Sequence, residues 1–123
     1  MKSIVVIDGQ GGGFGRAIIE ALSNGKVCAE VIAVGTNAFA TSAMLKAGAA
    51  AGATGENAVM VNCARADVII GPIGIVIANS MLGEFTPAMA MAVAESSAKK
   101  ILIPVAKCGV CIAGLTEKPF AES

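Results

Sequence analysis

The chain has 123 residues, of which 55% are hydrophobic and only 15% charged, and its nine basic and nine acidic side chains give a formal net charge of zero. This length fits a single domain, and the balanced charge gives no field that would attract nucleic acid or an anionic membrane surface. The sequence contains no His, Tyr or Trp, which excludes catalysis by an imidazole base or a phenolic acid and any metal site built with histidine. So apolar a chain is expected to bury part of its surface against further copies of itself, as a homo-oligomer.

The sequence gives no sign of export or of membrane insertion. Its longest apolar stretch, residues 68–78, is too short for a membrane span and is interrupted by glycines and a proline. The N-terminus leads directly into a strand pattern and lacks the apolar segment and cleavage site of a signal peptide. We therefore expect a cytoplasmic protein whose four cysteines are free thiols.

The first predicted elements are a strand at residues 3–8 and a helix at residues 14–22, joined by a glycine-rich loop. The strand is an unbroken apolar run, which is typical of a strand covered on both faces. Five glycines in seven positions allow the chain to turn sharply and a ligand to approach the backbone closely. The loop consists of Gly9, Gln10, Gly11, Gly12, Gly13, Phe14 and Gly15.

Strand and helix patterns continue to alternate through the middle of the chain. Asn37 or Thr36 can cap the helix that follows the second strand. Residues 55–65 are assigned to a helix because the apolar run inside them lies only about five residues before the next strand, and a parallel crossover needs about a dozen. The predicted elements are a strand at 30–35, a helix ending at Gly48, a very short or missing strand near 51–54, a helix at 55–65 and a strand at 67–71.

The last third of the chain holds one ambiguous segment. Residues 73–82 are β-branched enough for a strand, but the proline before them and the glycine after them favour a short helix. Thr86 and Pro87 form a cap and first-turn pair that predicts a helix through Ala98, with two lysines at its C-terminal end. A strand at 101–105 and an edge strand at 110–113 complete the prediction.

This alternation is typical of a parallel sheet with helices on both faces. The fold class is therefore α/β, with one domain over residues 1–123. We predict a three-layer, doubly wound and mostly parallel sheet of about five or six strands, which is a Rossmann-like arrangement. The methionines at positions 60, 81, 89 and 91 are expected to fill its core.

Two loops are predicted to meet at one edge of this sheet. The glycine loop follows the first strand, and a second loop follows the strand expected beside it, at the switch point where doubly wound sheets bind ligands. The glycines of the second loop suit either ligand approach or dense packing. That loop consists of Gly71, Pro72, Ile73 and Gly74. The polar residues that could reach the same crevice, or lie solvated on the surface, are Asn79, Ser80 and Glu84.

The glycine loop is predicted to bind the phosphate of a nucleotide or metabolite, because it presents backbone N–H groups at a helix N-terminus. A tight turn alone would need fewer glycines, each of which has an entropic cost. Asp8, at the end of the first strand, would repel a phosphate unless Mg²⁺ bridges the two or its carboxylate caps a loop amide, and we prefer the cap. Arg16 and Ala17 stand where an ATP-hydrolysing loop has Lys and Ser or Thr, which argues against ATP hydrolysis.

Cys108 and Cys111 form a lone C-x-x-C pair. Such a pair is half of a zinc site, and only Cys28 and Cys63 could complete it. A redox pair normally lies at a helix N-terminus, whereas this pair falls on a predicted strand that directs its side chains to opposite faces. We therefore predict no metal site and prefer a structural interpretation of the pair.

The first 75 or so residues resemble the nucleotide-binding half of the short-chain dehydrogenase/reductases. The shared features are the G-x-x-x-G-x-G spacing of Gly9, Gly13 and Gly15, the Arg-Ala-Ile that follows it, and the strands at 30–35 and 67–70. This resemblance implies an NAD(P)-type cofactor against the glycine loop and Arg16. The acidic residue that would bind a ribose after the second strand is missing, and Thr36 and Asn37 in its place could bind the ribose or only cap their helix. With no tyrosine in the chain, the Tyr-x-x-x-Lys catalysis of those enzymes is not implied.

Taken whole, including the segments 71–75 and 79–84, the chain is similar to a family of small Rossmann-like bacterial proteins of unknown function. That resemblance implies the fold and no activity. The predicted function is binding of a small phosphorylated ligand, NAD(P) or another nucleotide, between the two loops, without assignable catalysis. Two alternatives stay open: an NAD(P)-dependent or phosphate-ester enzyme with an unconventional site, and a structural oligomeric subunit.

Overall fold

A computed structural model of the chain describes residues 1–105 and 110–114. Within them, strands and α-helices alternate, and two short 3-10 helices follow the fourth strand. The regular elements are β1 (Lys2–Asp8), α1 (Gly13–Asn24), β2 (Ala29–Gly35), α2 (Ala38–Lys46), β3 (Ala51–Thr54), α3 (Glu56–Arg65), β4 (Val68–Pro72), α4 (Pro87–Glu95) and β5 (Lys99–Ile103).

The described strands form one parallel sheet in the order β3-β2-β1-β4-β5. The chain moves outward from β1 to β3 on one side, then crosses through α3 to β4 on the other side. The switch point therefore lies between β1 and β4, where the glycine loop and the loop after β4 meet. The α/β, Rossmann-like prediction is confirmed, with five strands that are all parallel.

Apolar side chains of β1 cover both faces of the sheet, because successive residues of a strand point to opposite sides. Val5 and Ile7 belong to a core shared with α3 and α4, which contribute Val59 and Val93 among others. Ile4 and Val6 belong to a second core, shared with α1 and α2. The sheet is thus the middle layer of three, and burial on both faces explains why β1 reads as an unbroken apolar run.

Two predicted helix caps are confirmed. The Asn37 side chain accepts a hydrogen bond from the Ala40 amide at 2.8 Å, at the start of α2. The Thr86 hydroxyl accepts one from the Met89 amide at 3.2 Å, and Pro87 is the first residue of α4. The short strand β3 is present, and α3 follows it as predicted.

The helix predicted for residues 73–82 is wrong. The structure has two separate 3-10 helices, Ile73–Val76 and Met81–Gly83, with a non-helical stretch between them. The backbone takes left-handed φ values at Asn79, Met81 and Leu82, which ends any regular helix.

The predicted end of α4 is also wrong. The helix ends at Glu95, and the Ser96 side chain hydrogen-bonds to the Cys63 carbonyl at 2.6 Å, which turns the chain toward the sheet. The two lysines expected at the helix end, Lys99 and Lys100, instead begin β5, which stops at Ile103.

The expected edge strand at 110–113 is not formed, since residues 110–114 have no strand structure. The core prediction for the methionines holds for Met89, which is buried, but Met60 and Met91 are 45% and 60% exposed. Among the described residues, no helix is both long and apolar enough to cross a membrane.

Candidate functional site

The carboxylate of Asp8 organises the glycine loop from the end of β1. Its Oδ1 accepts a hydrogen bond from the Gly9 amide at 2.8 Å, and its Oδ2 accepts one from the Gly15 amide, in the first turn of α1, at 2.7 Å. The predicted capping role of Asp8 is confirmed. Burial raises the pKa of Asp8, although the hydrogen bonds from Gly15 and Gly9 act in the opposite direction.

Three of the loop glycines are required by the fold itself. Gly12 has a φ of +75°, and a Cβ there would lie 2.9 Å from the Ala40 Cα. A Cβ on Gly15 would collide with the Met44 side chain, and one on Gly9 would lie 2.6 Å from the Thr36 hydroxyl. These positions admit no larger residue without movement of their neighbours.

The other two loop glycines are not explained in this way. A Cβ on Gly11 or Gly13 would meet no atom within 4 Å, and neither residue has a left-handed φ. Within the described part of the chain, neither backbone amide has a hydrogen-bond acceptor. Packing and backbone geometry therefore give no reason for glycine at these two positions.

A pocket of about 570 Å³ opens between the glycine loop and the loop after β4, so the side chains of the described residues leave the mouth of the sheet open. Its volume lies in the range of small-molecule sites, roughly 300–1,000 Å³. Asp8 is the only charged residue among those described that line it. The lining residues are Asp8, Gly9, Gln10, Gly11, Gly12, Gly13, Phe14, Pro72, Gly74, Met81, Leu82 and Val105.

Most of the predicted loop residues line this pocket, but several others do not. The predicted site residues outside the lining are Gly15, Arg16, Thr36, Asn37, Gly71 and Ile73. Arg16 is exposed, and Gly71 is packed against its neighbours. The residues that sequence reasoning missed are Met81, Leu82 and Val105. Met81 and Leu82 fall in the segment 73–82 that the sequence predicts as a helix, and the only local signal against that prediction is the Asn79 and Gly83 pair, which tolerates left-handed φ.

Glu84 connects the loop after β4 to the glycine loop. Its Oε1 accepts hydrogen bonds from the Gln10 amide at 2.8 Å, from the Thr36 hydroxyl at 2.6 Å and from the Asn37 side-chain amide at 3.0 Å. Of the three polar residues predicted to reach the crevice, Glu84 therefore contacts the loop. Ser80 is buried and donates to the Gly74 carbonyl at 2.6 Å, and Asn79 is exposed.

The pKa of Glu84 determines how its contribution to stability depends on pH. The hydrogen bonds from Thr36 and then from the Gln10 amide hold this pKa below its usual 4.5, with burial acting in the opposite direction. The contribution of Glu84 to the free energy of unfolding is therefore complete above pH 4.5 and is lost as the pH falls through the lower folded pKa.

We expect the difference in unfolding free energy between the wild type and Glu84→Gln to shrink below about pH 4, as measured by urea denaturation across a pH series. The raised pKa of Asp8 has the opposite sign but is present in both proteins, so it largely cancels in the difference. A difference that stays constant from neutral to acid pH would contradict this expectation.

The cysteines do not assemble into a metal site in the described residues, where no cluster of metal-binding side chains occurs. Cys28 and Cys111 are exposed and Cys63 is buried, which raises the pKa of its thiol to about 11. Cys108 lies outside the described residues, so the prediction for the C-x-x-C pair stays a prediction.

The chain is similar to one solved structure in particular, a crystal structure of a dodecameric FMN-dependent Ubix-like decarboxylase from Escherichia coli O157:H7. The two are 20% identical with a TM-score of 0.51, and the match covers 95% of this chain and 69% of the other. This likeness supports the fold. No curated protein matches the chain at a significant level.

A family model covers nearly the whole sequence, in agreement with the predicted likeness to a family of unknown function. Neither this match nor the solved structure is a short-chain dehydrogenase/reductase, so that part of the resemblance stays a prediction. The chain belongs to the family described as Domain of unknown function (DUF3842), whose model matches residues 3–123.

Proposed function

We propose that this protein binds a mononucleotide-type cofactor, with FMN as the first candidate, and places its phosphate against Gly11 and Gly13. The observation that carries the proposal is that both positions have room for a side chain and ordinary φ, yet both are glycine and both line the pocket. A bound group that contacts the backbone there supplies the missing reason, because a Cβ would hold it away.

The chemistry of the loop fits a phosphate. The amides of Gly11 and Gly13 have no acceptor among the described residues, and Gly13 begins α1, where the helix dipole favours negative charge. No described lysine or arginine lines the pocket, so backbone amides have to supply most of the attraction. A phosphate near Asp8 would further raise the pKa of that carboxyl, so binding is coupled to protonation of Asp8.

The rest of the pocket suits a flat apolar ring. Pro72, Met81, Leu82 and Val105 give the pocket an apolar lining beside the glycine loop. In contrast, Thr36 and Asn37, which could have bound the ribose of NAD(P), already donate their side-chain hydrogen bonds to Glu84. This favours a mononucleotide over a dinucleotide, in agreement with the FMN dependence named for the protein that shares the fold.

The proposal assigns binding and no turnover. The only titratable side chain among the described lining residues is Asp8, and both of its oxygens are engaged by backbone amides. We also propose that copies of the chain associate through exposed apolar side chains such as Phe39, 74% exposed, and Met91, 60% exposed. The protein that shares the fold is described as dodecameric.

Titration calorimetry with FMN, riboflavin, AMP and NAD tests the proposal. We expect FMN to bind at least about tenfold more tightly than riboflavin, because one or more charge-assisted hydrogen bonds to the phosphate are worth about 1.5–3 kcal/mol. AMP shares the phosphate and serves to measure the contribution of the ring. Equal affinity for FMN and riboflavin, or no binding of any compound, would refute the proposed phosphate site.

A further inference from the structure

The segment Met81–Glu84 forms a small loop whose two ends are paired with each other. Ser80 and Phe85 pair there as an antiparallel bridge, and both are buried. Between them the chain rises over the edge of the pocket, and Met81 and Leu82 belong to the pocket lining. Leu82 is 97% exposed, an unusual state for a large apolar side chain beside a cavity.

The backbone of this loop is held in an unfavourable conformation. Met81 and Leu82 both have φ of +57°, and Gly83 has φ of +91°. For residues other than glycine this left-handed region is costly, and such positions persist only where surrounding contacts maintain them. Loss of those contacts would therefore favour a change in the backbone conformation of the loop.

A single carboxylate supplies three hydrogen bonds that hold the loop in place, while Met81 packs against the core. Glu84 Oε1 accepts from the Gln10 backbone amide, the Thr36 hydroxyl and the Asn37 side-chain amide, and these bonds join the loop to the ends of β1 and β2. Gly9 leaves space for this docking, since a Cβ there would lie 2.6 Å from Met81 Sδ. The carboxylates of Glu84 and Asp8 also interact unfavourably, which opposes the docked state.

We propose that Met81–Glu84 is a gate over the pocket, hinged at Ser80 and Phe85 and latched by Glu84. In the docked state Glu84 fastens the gate to the glycine loop, and release of Glu84 lets the gate lift so that a ligand can enter or leave. The identity of the ligand rests on the proposed function, but the gate and its latch do not. With a ligand bound, Leu82 packs on it and its exposure falls.

Hydrogen–deuterium exchange of the ligand-free protein tests the latch without any ligand. Glu84→Ala removes the acceptor, so we expect exchange at the Gln10, Gly83 and Glu84 amides to become at least tenfold faster. The amides of Asn79 and Phe85, which bond across the hinge, are expected to keep their protection. The Gly83 amide donates to the Ser80 carbonyl and the Glu84 amide to the Met81 carbonyl, so unchanged exchange at both amides overturns the proposal.

Glu56→Ala is the matched control. Glu56 Oε2 accepts a hydrogen bond from the Thr86 hydroxyl at 2.6 Å, the same length as the bond between Glu84 and Thr36. The substitution Glu56→Ala therefore removes a carboxylate–hydroxyl hydrogen bond close to the gate and leaves the hydrogen bonds of Glu84 in place. Faster exchange at Gly83 and Glu84 in this control, equal to that in Glu84→Ala, would mean general loosening and would overturn the gate.

Stopped-flow fluorescence with FMN provides the second measurement. We expect Glu84→Ala to raise both the association and the dissociation rate of FMN severalfold, with a smaller change in Kd, and Glu56→Ala to change neither rate. Unchanged rates in Glu84→Ala would overturn the gate even if FMN binds. If FMN does not bind the wild type but Gly83 and Glu84 exchange faster in Glu84→Ala, the proposed function fails and the gate stands.

Discussion

Replacing Gly71 with alanine is expected to destabilise the protein by about 3 kcal/mol, the upper part of the range for overpacked cores. Gly71 lies in β4 beside the central strand β1. A Cβ there would come within 2.6 Å of the Ile7 carbonyl oxygen and 2.9 Å of Ile75 Cδ1. The Ile7 oxygen belongs to the backbone of β1 and cannot move without disturbing the pairing of the central strands.

Urea denaturation of the purified protein measures this loss as a lower transition midpoint at unchanged slope. Gly11→Ala is the matched control, because it adds the same methyl group where no atom lies within 4 Å. A loss of less than about 0.5 kcal/mol for Gly71→Ala would mean that the strands adjust freely. The expected result assigns Gly71 to packing, which was one of its two predicted roles.

Local patterns were sufficient to predict most of the fold. The central residues of β1, β2 and β4 are apolar runs because helices cover both faces of the sheet, so their burial is visible in the sequence. The caps at Asn37 and Thr86 were predictable because each is a bond between neighbours in the chain. The helix at 55–65 was predictable from the length that a parallel crossover needs before β4, and the switch point from the order of strands in a doubly wound sheet.

The parts that failed depend on contacts between distant residues. The bond of Glu84 to Thr36 spans 48 positions and its bond to Gln10 spans 74, so no local pattern could reveal them. The early end of α4 reflects the bond from Ser96 to Cys63, 33 positions away. In the segment 73–82, where the helix prediction is wrong, Ser80 bridges to Phe85 and the neighbouring Glu84 bonds to distant loops, contacts that the local helix signals of Pro72 and Gly83 do not contain.

The division of the loop glycines was also invisible in the sequence. Five glycines in one loop predict a phosphate site. Only the atoms around each glycine show which positions have no room for a side chain and which have no such constraint. Gly12 has Ala40 against it, whereas Gly11 and Gly13 face open space. The number of glycines therefore overstates the case for a phosphate site, because the packing around Gly9, Gly12 and Gly15 already accounts for three of the five.

Substitution of these adjacent glycines should separate the effect on binding from the effect on folding. We expect Gly13→Ala to lower FMN affinity by about 5- to 150-fold, since a methyl group in a filled contact costs about 1–3 kcal/mol. The same change should leave the ligand-free protein as stable or up to about 1 kcal/mol more stable, because alanine at a helical position with ordinary φ restricts the unfolded chain. Gly11→Ala is expected to weaken binding similarly without loss of stability.

Gly12→Ala is the contrasting variant, and it should lose about 2 kcal/mol or more of stability, since its φ of +75° disfavours a side chain and Ala40 occupies the space. Calorimetry with FMN and urea denaturation on the same three proteins separate the two effects. If Gly11→Ala and Gly13→Ala bind FMN as well as the wild type does, the open positions serve no ligand phosphate. Because both variants are expected to fold, that result would count against the site itself and could not be ascribed to unfolding.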